Sequence, residues 1–332
     1  MIFHPLVLSL TLASLLINFM ILYASCFGVQ ILKKWDLRSG SELQLNLERK
    51  TYLISTLLAC LFGFELLSLF LFVFTVDRLH AFFVGAMCAA GTLHVNGYGY
   101  PTLILKVINF LLAGLWLLLN YVDNRGYDYP LVKRKYLFLL LLAPLILIET
   151  ALQANFFFRL KPDIITSCCG SLFSITGSGL LPEVSVFPSI PVKIGFYLTL
   201  AVTGGLGLAF YRKGSGGTLF ASMVGVVFMV SILSIFSFIS PYFYELPTHR
   251  CPFCILQAEY AYAGYPIYFS VLGGTISGVG VGVLMPFKKI ESLSRIIPSL
   301  QKRLVLISLA LFLLFALIVT YRMVFTDFIL EG

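Results

Sequence analysis

The chain contains 332 residues, of which 59% are hydrophobic and 11% are charged, whereas about a quarter of the residues in an ordinary soluble domain are charged. This composition excludes an aqueous globular fold and indicates a protein that lies in a lipid bilayer. A membrane-spanning helix needs roughly 20 apolar residues, so the length allows about eight to ten spans and no large soluble domain. The net charge of +8 first indicates basic cytoplasmic loops, and no folded basic surface for nucleic acid is evident.

Long apolar runs divide the chain into predicted membrane spans. Eight runs are long enough to cross a bilayer, namely residues 5–30, 52–76, 102–122, 136–158, 194–211, 218–244, 265–287 and 304–325. A ninth run, residues 81–93, has only about half that length and is followed by a turn-prone stretch around Gly97. The sequence therefore predicts an all-α polytopic membrane protein. It forms a single integral membrane domain, residues 1–332, with eight transmembrane helices and one re-entrant or interfacial segment at 81–98.

Successive loops alternate between many and few basic residues, and this alternation predicts the orientation of the chain. Most of the 23 basic residues fall in four of the connections, and such residues accumulate on the cytoplasmic side of membranes. The predicted cytoplasmic loops are residues 31–51, 123–135, 212–217 and 288–303. The predicted extracytoplasmic loops are residues 77–101, 159–193 and 245–264, and both termini are expected on that same side.

Imidazole and thiol side chains collect on the predicted extracytoplasmic side. The 4 histidines all lie at or beside the outward ends of spans. Most of the 7 cysteines join them there, whereas Cys26 and Cys60 lie inside spans, where a thiol usually acts as a small apolar filler. The candidate site residues on this side are Cys88, Cys168, Cys169, Cys251, Cys254, His80, His94 and His249.

The sharpest local motif is Cys-Pro-Phe-Cys at residues 251–254. Proline is favoured at the first position of a helix, so we expect Cys251 at a helix start and Cys254 one turn later. Exposed helix amides, together with Arg250 and His249, favour a thiolate there. Cys251 is then the attacking nucleophile and Cys254 resolves the mixed disulfide. The spacing also suits a soft metal ion, or a disulfide that only holds the loop together.

Three further cysteines are candidates to act with this pair. Cys168 and Cys169 are adjacent in a loop rich in Ser, Thr, Gly and Pro, and a disulfide between neighbouring residues is strained. We therefore expect a mobile thiol pair that reaches Cys251 or Cys254, or that pairs statically with Cys88. Cys88 itself lies in a run of small residues that favours close packing within the membrane, so it belongs either to that packing or to a shared site.

Three ionisable residues lie inside predicted spans. Glu65 and Glu149 fall near the middle of the second and fourth spans, and Lys106 lies within the third. Ionisable groups at such depth are costly, and they are usually paired with one another or functional. The sequence therefore predicts either a structural Glu–Lys ion pair or a proton path through Glu65, Glu149 and Lys106.

At the Cys251–Cys254 motif the chain resembles membrane thiol oxidoreductases of the bacterial disulfide-forming and vitamin K epoxide reductase type. Those proteins are smaller helix bundles that place one dithiol at a helix end beside a bound quinone and a second dithiol in an outward loop. The resemblance covers the motif and extends to the Cys168–Cys169 pair. It implies that Cys251 and Cys254 exchange electrons with a quinone, and that Cys168 and Cys169 exchange them with a protein substrate.

The residues and the resemblance leave three functions open. The first is a membrane dithiol–disulfide oxidoreductase or electron conduit whose partner is a thioredoxin-like or other extracytoplasmic thiol protein. The second is a protein that binds or transports copper or zinc through Cys88, His80, His94 and His249 together with Cys251 and Cys254. The third is a structural subunit of a larger membrane complex. In each case we expect lipid contact, a bacterial inner membrane with the cysteines at the periplasmic face, and no nucleic acid.

Overall fold

The computed structural model describes residues 3–36, 41–161, 166, 188–328 and 330, and the regular secondary structure in these ranges is helical. The α-helices are α1 Pro5–Lys34, α2 Glu42–Leu79, α3 Ala89–His94, α4 Gly99–Asp123, α5 Val132–Phe158, α6 Ser189–Lys213, α7 Gly217–Ser234, α8 Ser240–Tyr244, α9 Gly264–Leu284 and α10 Ile296–Val324. A π-helical turn joins α7 to α8 at Ile235–Ile239. Short 3₁₀ turns lie at His80–Phe82, Cys254–Leu256, Ala258–Tyr260, Met285–Lys289 and Glu291–Leu293.

Eight stretches of helix within the described ranges are long and apolar enough to cross a membrane. They are Pro5–Lys34, Glu42–Phe82, Gly99–Asp123, Val132–Phe158, Ser189–Lys213, Gly217–Tyr244, Gly264–Lys289 and Ile296–Val324. The predicted spans fall on these stretches one by one, so the predicted all-α polytopic fold is confirmed. Large apolar side chains such as Phe19, Leu67 and Leu141 remain exposed on these helices, as expected for surfaces that contact lipid.

The segment between α2 and α4 contains only short helical pieces. His80–Phe82 forms a 3₁₀ turn, and α3 has 6 residues. Because a spanning helix needs roughly 20 residues, neither piece crosses a bilayer. The prediction that residues 81–98 do not form a ninth span is therefore confirmed.

The chain divides into two compact units. Unit 1 comprises Met1–Val76, Leu93–Lys161 and Phe287–Ile297. Unit 2 comprises Asp77–Thr92, Pro162–Pro286 and Pro298–Gly332. The final residues of α2 thus belong to unit 2, in which they lead into the segment that carries Cys88. The single membrane domain and the sides assigned to its loops stay predictions.

The core of unit 1 forms where α1, α2, α4 and α5 pack together. The rings of Phe62 on α2 and Trp116 on α4 meet edge to face, with centroids 4.8 Å apart. The Trp116 indole N–H donates a hydrogen bond to the Lys135 carbonyl of α5 at 3.0 Å. An indole needs such a partner when it is buried, so this bond connects α4 and α5 within the apolar core.

One basic residue from the end of a predicted loop is buried in unit 1. The sequence places Lys135 in the basic cytoplasmic loop 123–135, but the structure begins α5 at Val132 and buries Lys135 completely. Its Nζ atom lies 2.7 Å from Oδ2 of Asp123, which is also fully buried. Lys135 is therefore a buried residue of α5, and the Asp123 carboxylate stabilises its charge inside the protein.

Unit 2 depends on small residues to bring its helices together. Helix α7 packs against α6 and α9. A Cβ atom on Gly278 would lie 2.6 Å from Cγ2 of Val224, and one on Gly282 would lie 2.5 Å from Cβ of Ala221. These distances are too short for real contacts, so both glycines are required where α9 meets α7. Close approach over small residues is the usual way in which membrane helices associate.

Candidate functional site

Three cysteines from distant parts of the sequence form a buried cluster in unit 2. The Sγ atoms of Cys88, Cys251 and Cys254 all lie within 4.8 Å of one another, and those of Cys88 and Cys251 are 3.5 Å apart. Cys88 and Cys251 are completely buried, and Cys254 is 5% exposed. We call these three residues the cysteine triad. It brings together two predicted elements, the Cys-x-x-Cys motif and the Cys88 segment.

The predicted helix start at Pro252 is wrong. Residues 252–253 form a bend, and only the 3₁₀ turn Cys254–Leu256 follows. The reason is the Tyr244 hydroxyl, which donates to the Cys251 carbonyl and accepts from the Ile255 amide at 2.9 Å. Those two backbone groups would form the first hydrogen bond of the expected helix. Tyr244 takes the place of that bond, so the expected stabilisation of a Cys251 thiolate by a helix dipole does not apply.

Two tyrosines hold the Cys-x-x-Cys loop from separate helices. Tyr244 is the last residue of α8, and the Tyr268 hydroxyl of α9 donates to the Pro252 carbonyl. The Tyr244 ring also packs edge to face on the His249 imidazole, with centroids 4.4 Å apart. Sequence reasoning missed both tyrosines, because an aromatic residue near the end of a span is usually part of the interfacial belt.

Asp77 and Gln257 position the backbone on either side of Cys88. Oδ1 of Asp77 accepts hydrogen bonds from the Ala89 amide at 3.1 Å and from Nε2 of Gln257 at 3.2 Å. Nε2 of Gln257 also donates to the Met87 carbonyl at 2.9 Å. The segment that carries Cys88 is thereby tied to the loop that carries Cys254, only three residues before Gln257. No motif in the sequence connects Asp77 with Gln257.

A further connection folds the Cys88 segment tightly. The Thr166 amide donates to the Val84 carbonyl at 3.0 Å, and the Thr166 hydroxyl donates to the Gly91 carbonyl at 3.1 Å. Between them, Gly85 adopts a φ angle of +88°. A Cβ atom there would lie 2.3 Å from the Thr166 carbonyl oxygen. Gly85 is therefore required by both its backbone conformation and the closeness of Thr166.

One imidazole contacts the triad at a single sulfur. Nε2 of His249 lies 3.4 Å from Sγ of Cys254. Burial lowers the pKa of His249, against a smaller opposing effect of a negative charge on Cys88, so the neutral, proton-accepting form is favoured. Burial also lowers the pKa of the neighbouring Arg250. The Phe253 amide donates to Sγ of Cys251 at 3.4 Å, a contact that supports negative charge on that sulfur.

The other predicted ligands do not belong to this cluster. Among the described residues, the group of ligand atoms within 4.8 Å of one another consists of the three cysteine sulfurs. His80 instead contacts the Asp77 carbonyl through Nδ1. His94 belongs to unit 1, where its ring packs against Tyr100. No disulfide joins any of the described cysteines, and Cys26 and Cys60 are exposed. Cys168 and Cys169 lie outside the described residues.

The ionisable residues predicted inside the spans meet within unit 1. Nζ of Lys106 lies 2.6 Å from Oε1 of Glu149, and both side chains are buried. Glu65 is buried beside them on α2. The predicted Glu–Lys ion pair is therefore confirmed, whereas the proton path stays a prediction.

The chain is a polytopic helical membrane protein with a buried triad of cysteines. No protein-family model, curated protein or solved structure matches the chain.

Proposed function

We propose that the chain is a membrane dithiol–disulfide oxidoreductase that exchanges electrons with extracytoplasmic thiols through the cysteine triad. The observation that carries the proposal is the convergence of three buried sulfurs, of which Cys88 and Cys251 lie 3.5 Å apart. A disulfide bond needs about 2.05 Å between its sulfurs, so a small side-chain movement closes it. The contact between His249 and Cys254 adds a proton acceptor at the sulfur that retains some exposed surface.

The exchange with a partner begins at Cys254 because Cys88 and Cys251 are completely buried. A thiolate of the partner dithiol attacks Sγ of Cys254 in a Cys251–Cys254 disulfide, and Cys251 leaves as a thiolate. The second partner thiolate then attacks the partner sulfur of the mixed disulfide, and Cys254 leaves as a thiolate. Two electrons pass from the partner to the chain, and the partner gains one disulfide. The same steps run in reverse to reduce a partner.

Cys88 allows a second disulfide, Cys88–Cys251, whose sulfurs are more deeply buried than those of the Cys251–Cys254 pair. Its thiolate attacks Sγ of Cys251 in the Cys251–Cys254 disulfide, a Cys88–Cys251 disulfide forms, and Cys254 leaves as a thiolate. The resemblance of the motif implies a quinone as the second redox partner. A quinone that takes two electrons and two protons from a reduced pair becomes the quinol and restores the disulfide.

Alkylation of thiols in intact cells tests the proposal. Part of the triad is expected to react with the alkylating reagent only after a membrane-permeant reductant, and peptide mass spectrometry identifies the cysteines concerned. Cys254→Ser is expected to trap a Cys88–Cys251 disulfide, because those sulfurs are neighbours. Cys60→Ser is the matched control, since Cys60 is exposed on α2 and lies outside the triad. Equal alkylation of the triad before and after reduction would rule out redox cycling.

A soft metal site is the second candidate, and one observation favours it. Three buried sulfurs that all lie within 4.8 Å of one another suit copper(I) or zinc, which prefer thiolate ligands. In that case the triad becomes reactive after a chelator rather than after a reductant. Elemental analysis of the purified protein then finds about one copper or zinc ion per chain, and Cys251→Ser loses it.

We also propose that the triad faces the periplasm of a bacterial inner membrane, with both termini on the same side. The alternation of basic loops supports this orientation. A membrane-impermeant maleimide is expected to label Glu259→Cys in intact cells, and to label Lys289→Cys only in permeabilised cells. Glu259 and Lys289 are exposed residues at opposite ends of the span Gly264–Lys289. Labelling of both variants in intact cells, or of Lys289→Cys alone, contradicts the proposed orientation.

A further inference from the structure

A polar cluster lies among the apolar helices of unit 1, and it contains no cysteine. It contains two carboxyl groups and one ammonium group, all carried on helices that can span a membrane. Each of its side chains is buried, with no more than 7% of its surface exposed. The members are Glu65 and Ser68 on α2, Lys106 and Asn109 on α4, and Glu149 on α5.

Glu149 is held as the ionised member of this cluster. Its Oε1 atom lies 2.6 Å from Nζ of Lys106, and its Oε2 atom accepts a hydrogen bond from Nδ2 of Asn109 at 2.6 Å. The Lys106 ammonium also donates to the Ser68 hydroxyl at 3.2 Å. Both oxygens of Glu149 therefore accept bonds from fixed donors. This arrangement stabilises one carboxylate, whose negative charge is balanced by the positive charge of Lys106.

Among the described residues, Glu65 is a second carboxyl group beside one ammonium group, that of Lys106, which already pairs with Glu149. The Ser68 hydroxyl donates to the Glu65 backbone carbonyl at 2.8 Å, and the buried Glu65 side chain lies near the Glu149 carboxyl group and Lys106. Two neighbouring carboxyl groups repel each other when both are ionised, and a proton on one of them removes that repulsion. A second negative charge beside a single ammonium group would also be costly in a buried, lipid-surrounded position. The groups that face Glu65 therefore favour its neutral form.

We propose that Glu65 binds and releases a single proton inside the membrane, with the Lys106–Glu149 ion pair as its fixed electrostatic partner. Release of the proton leaves a Glu65 carboxylate beside Lys106. The Lys106 ammonium group then interacts with two carboxylates, those of Glu65 and Glu149. Oδ1 of Asn109 is buried and has no hydrogen-bond partner among the described residues, so it offers an acceptor to a donor that enters the cluster. The site is a proton-exchange site within unit 1, whereas the cysteine triad belongs to unit 2.

Infrared difference spectroscopy of the purified full-length protein in lipid nanodiscs tests this proposal. The carbonyl stretch of a protonated carboxylic acid is expected at neutral pH. It shifts when H₂O is replaced by D₂O, and disappears at alkaline pH as Glu65 ionises. Glu65→Gln is expected to lose this band, while the near-isosteric amide keeps the hydrogen-bonding shape of the neutral acid. Glu245→Gln, which changes an exposed carboxylate paired with Arg322 in unit 2, is expected to keep the band.

Lys106→Met distinguishes the proposed charge balance from a simple structural ion pair. Without the ammonium group, both carboxyl groups are expected to be protonated, so the band gains intensity rather than losing it. Thermal unfolding of each variant shows whether the protein remains folded. If Lys106→Met does not fold, the infrared band of Glu65→Gln alone tests the proposal. The proposal is overturned if the native protein shows no exchangeable acid band at neutral pH, or if Glu65→Gln retains the band. Alkylation of the triad does not depend on either result.

Discussion

Gly85→Ala is expected to abolish the Cys88–Cys251 disulfide that an added oxidant forms in the native chain. Gly85 has a φ angle of +88°, and a Cβ atom would lie 2.3 Å from the Thr166 carbonyl oxygen. The left-handed conformation alone costs an alanine about 1–3 kcal/mol, and the clash with Thr166 adds to that cost. The segment has to move, and Cys88 moves with it. Mass spectrometry of the oxidised and digested protein measures the cross-linked peptide.

Two further variants make this result specific. Gly195→Ala on α6 is the matched control, because a Cβ atom there meets nothing within 4 Å, and it is expected to cross-link normally. Gln257→Ala removes hydrogen bonds to the Met87 carbonyl and to Asp77, each worth about 1 kcal/mol, and is expected to slow cross-linking without abolishing it. If Gly85→Ala cross-links as fast as the native protein, the tight fold of this segment does not position Cys88.

Lys135→Met is expected to destabilise the protein by about 3–5 kcal/mol, because it leaves a buried carboxylate without its cation. Lys135 and Asp123 are both completely buried, and their charged atoms are 2.7 Å apart. Lys135 also donates to Oδ1 of Asn120 at 3.0 Å, and Oδ1 of Asp123 accepts from the Leu131 amide at 2.8 Å. Equilibrium unfolding in detergent micelles measures the loss.

An exposed ion pair provides the comparison for this prediction. Arg322 and Glu245 lie 2.9 Å apart, but their side chains are 36% and 53% exposed. Arg322→Met is therefore expected to cost no more than about 1 kcal/mol. The double variant Lys135→Met/Asp123→Asn removes the orphaned charge and is expected to recover part of the stability lost by Lys135→Met. Equal losses for Lys135→Met and Arg322→Met would show that Asp123 does not depend on its buried partner.

The spans could be predicted from the sequence because length and hydropathy alone decide them. A stretch that crosses a bilayer has to satisfy its backbone within the helix and present apolar side chains to lipid, and both requirements are local. The Lys106–Glu149 pair could be anticipated for a similar reason, since charges at that depth need partners. Neither prediction required knowledge of which helices are neighbours.

The triad could be predicted only in part. Cys251 and Cys254 are close because they are three residues apart, but Cys88 is 163 residues before Cys251 and joins them through folding. The run of small residues around Cys88 is equally consistent with close packing that has no chemical role. The helix expected at Pro252 followed a local preference, and the Tyr244 hydroxyl between the Cys251 carbonyl and the Ile255 amide overrides that preference.

The π-helical turn Ile235–Ile239 determines the direction in which Tyr244 points. A π turn accommodates one more residue than an α-helical turn, so the residues after it are rotated relative to an uninterrupted helix. Each residue of an α-helix contributes about 100° of rotation. Without that additional residue, the phenol would swing about a quarter of a circle around the helix axis, away from the loop that it holds. The angular phase of a single helix thus controls the shape of the loop that carries two of the three sulfurs.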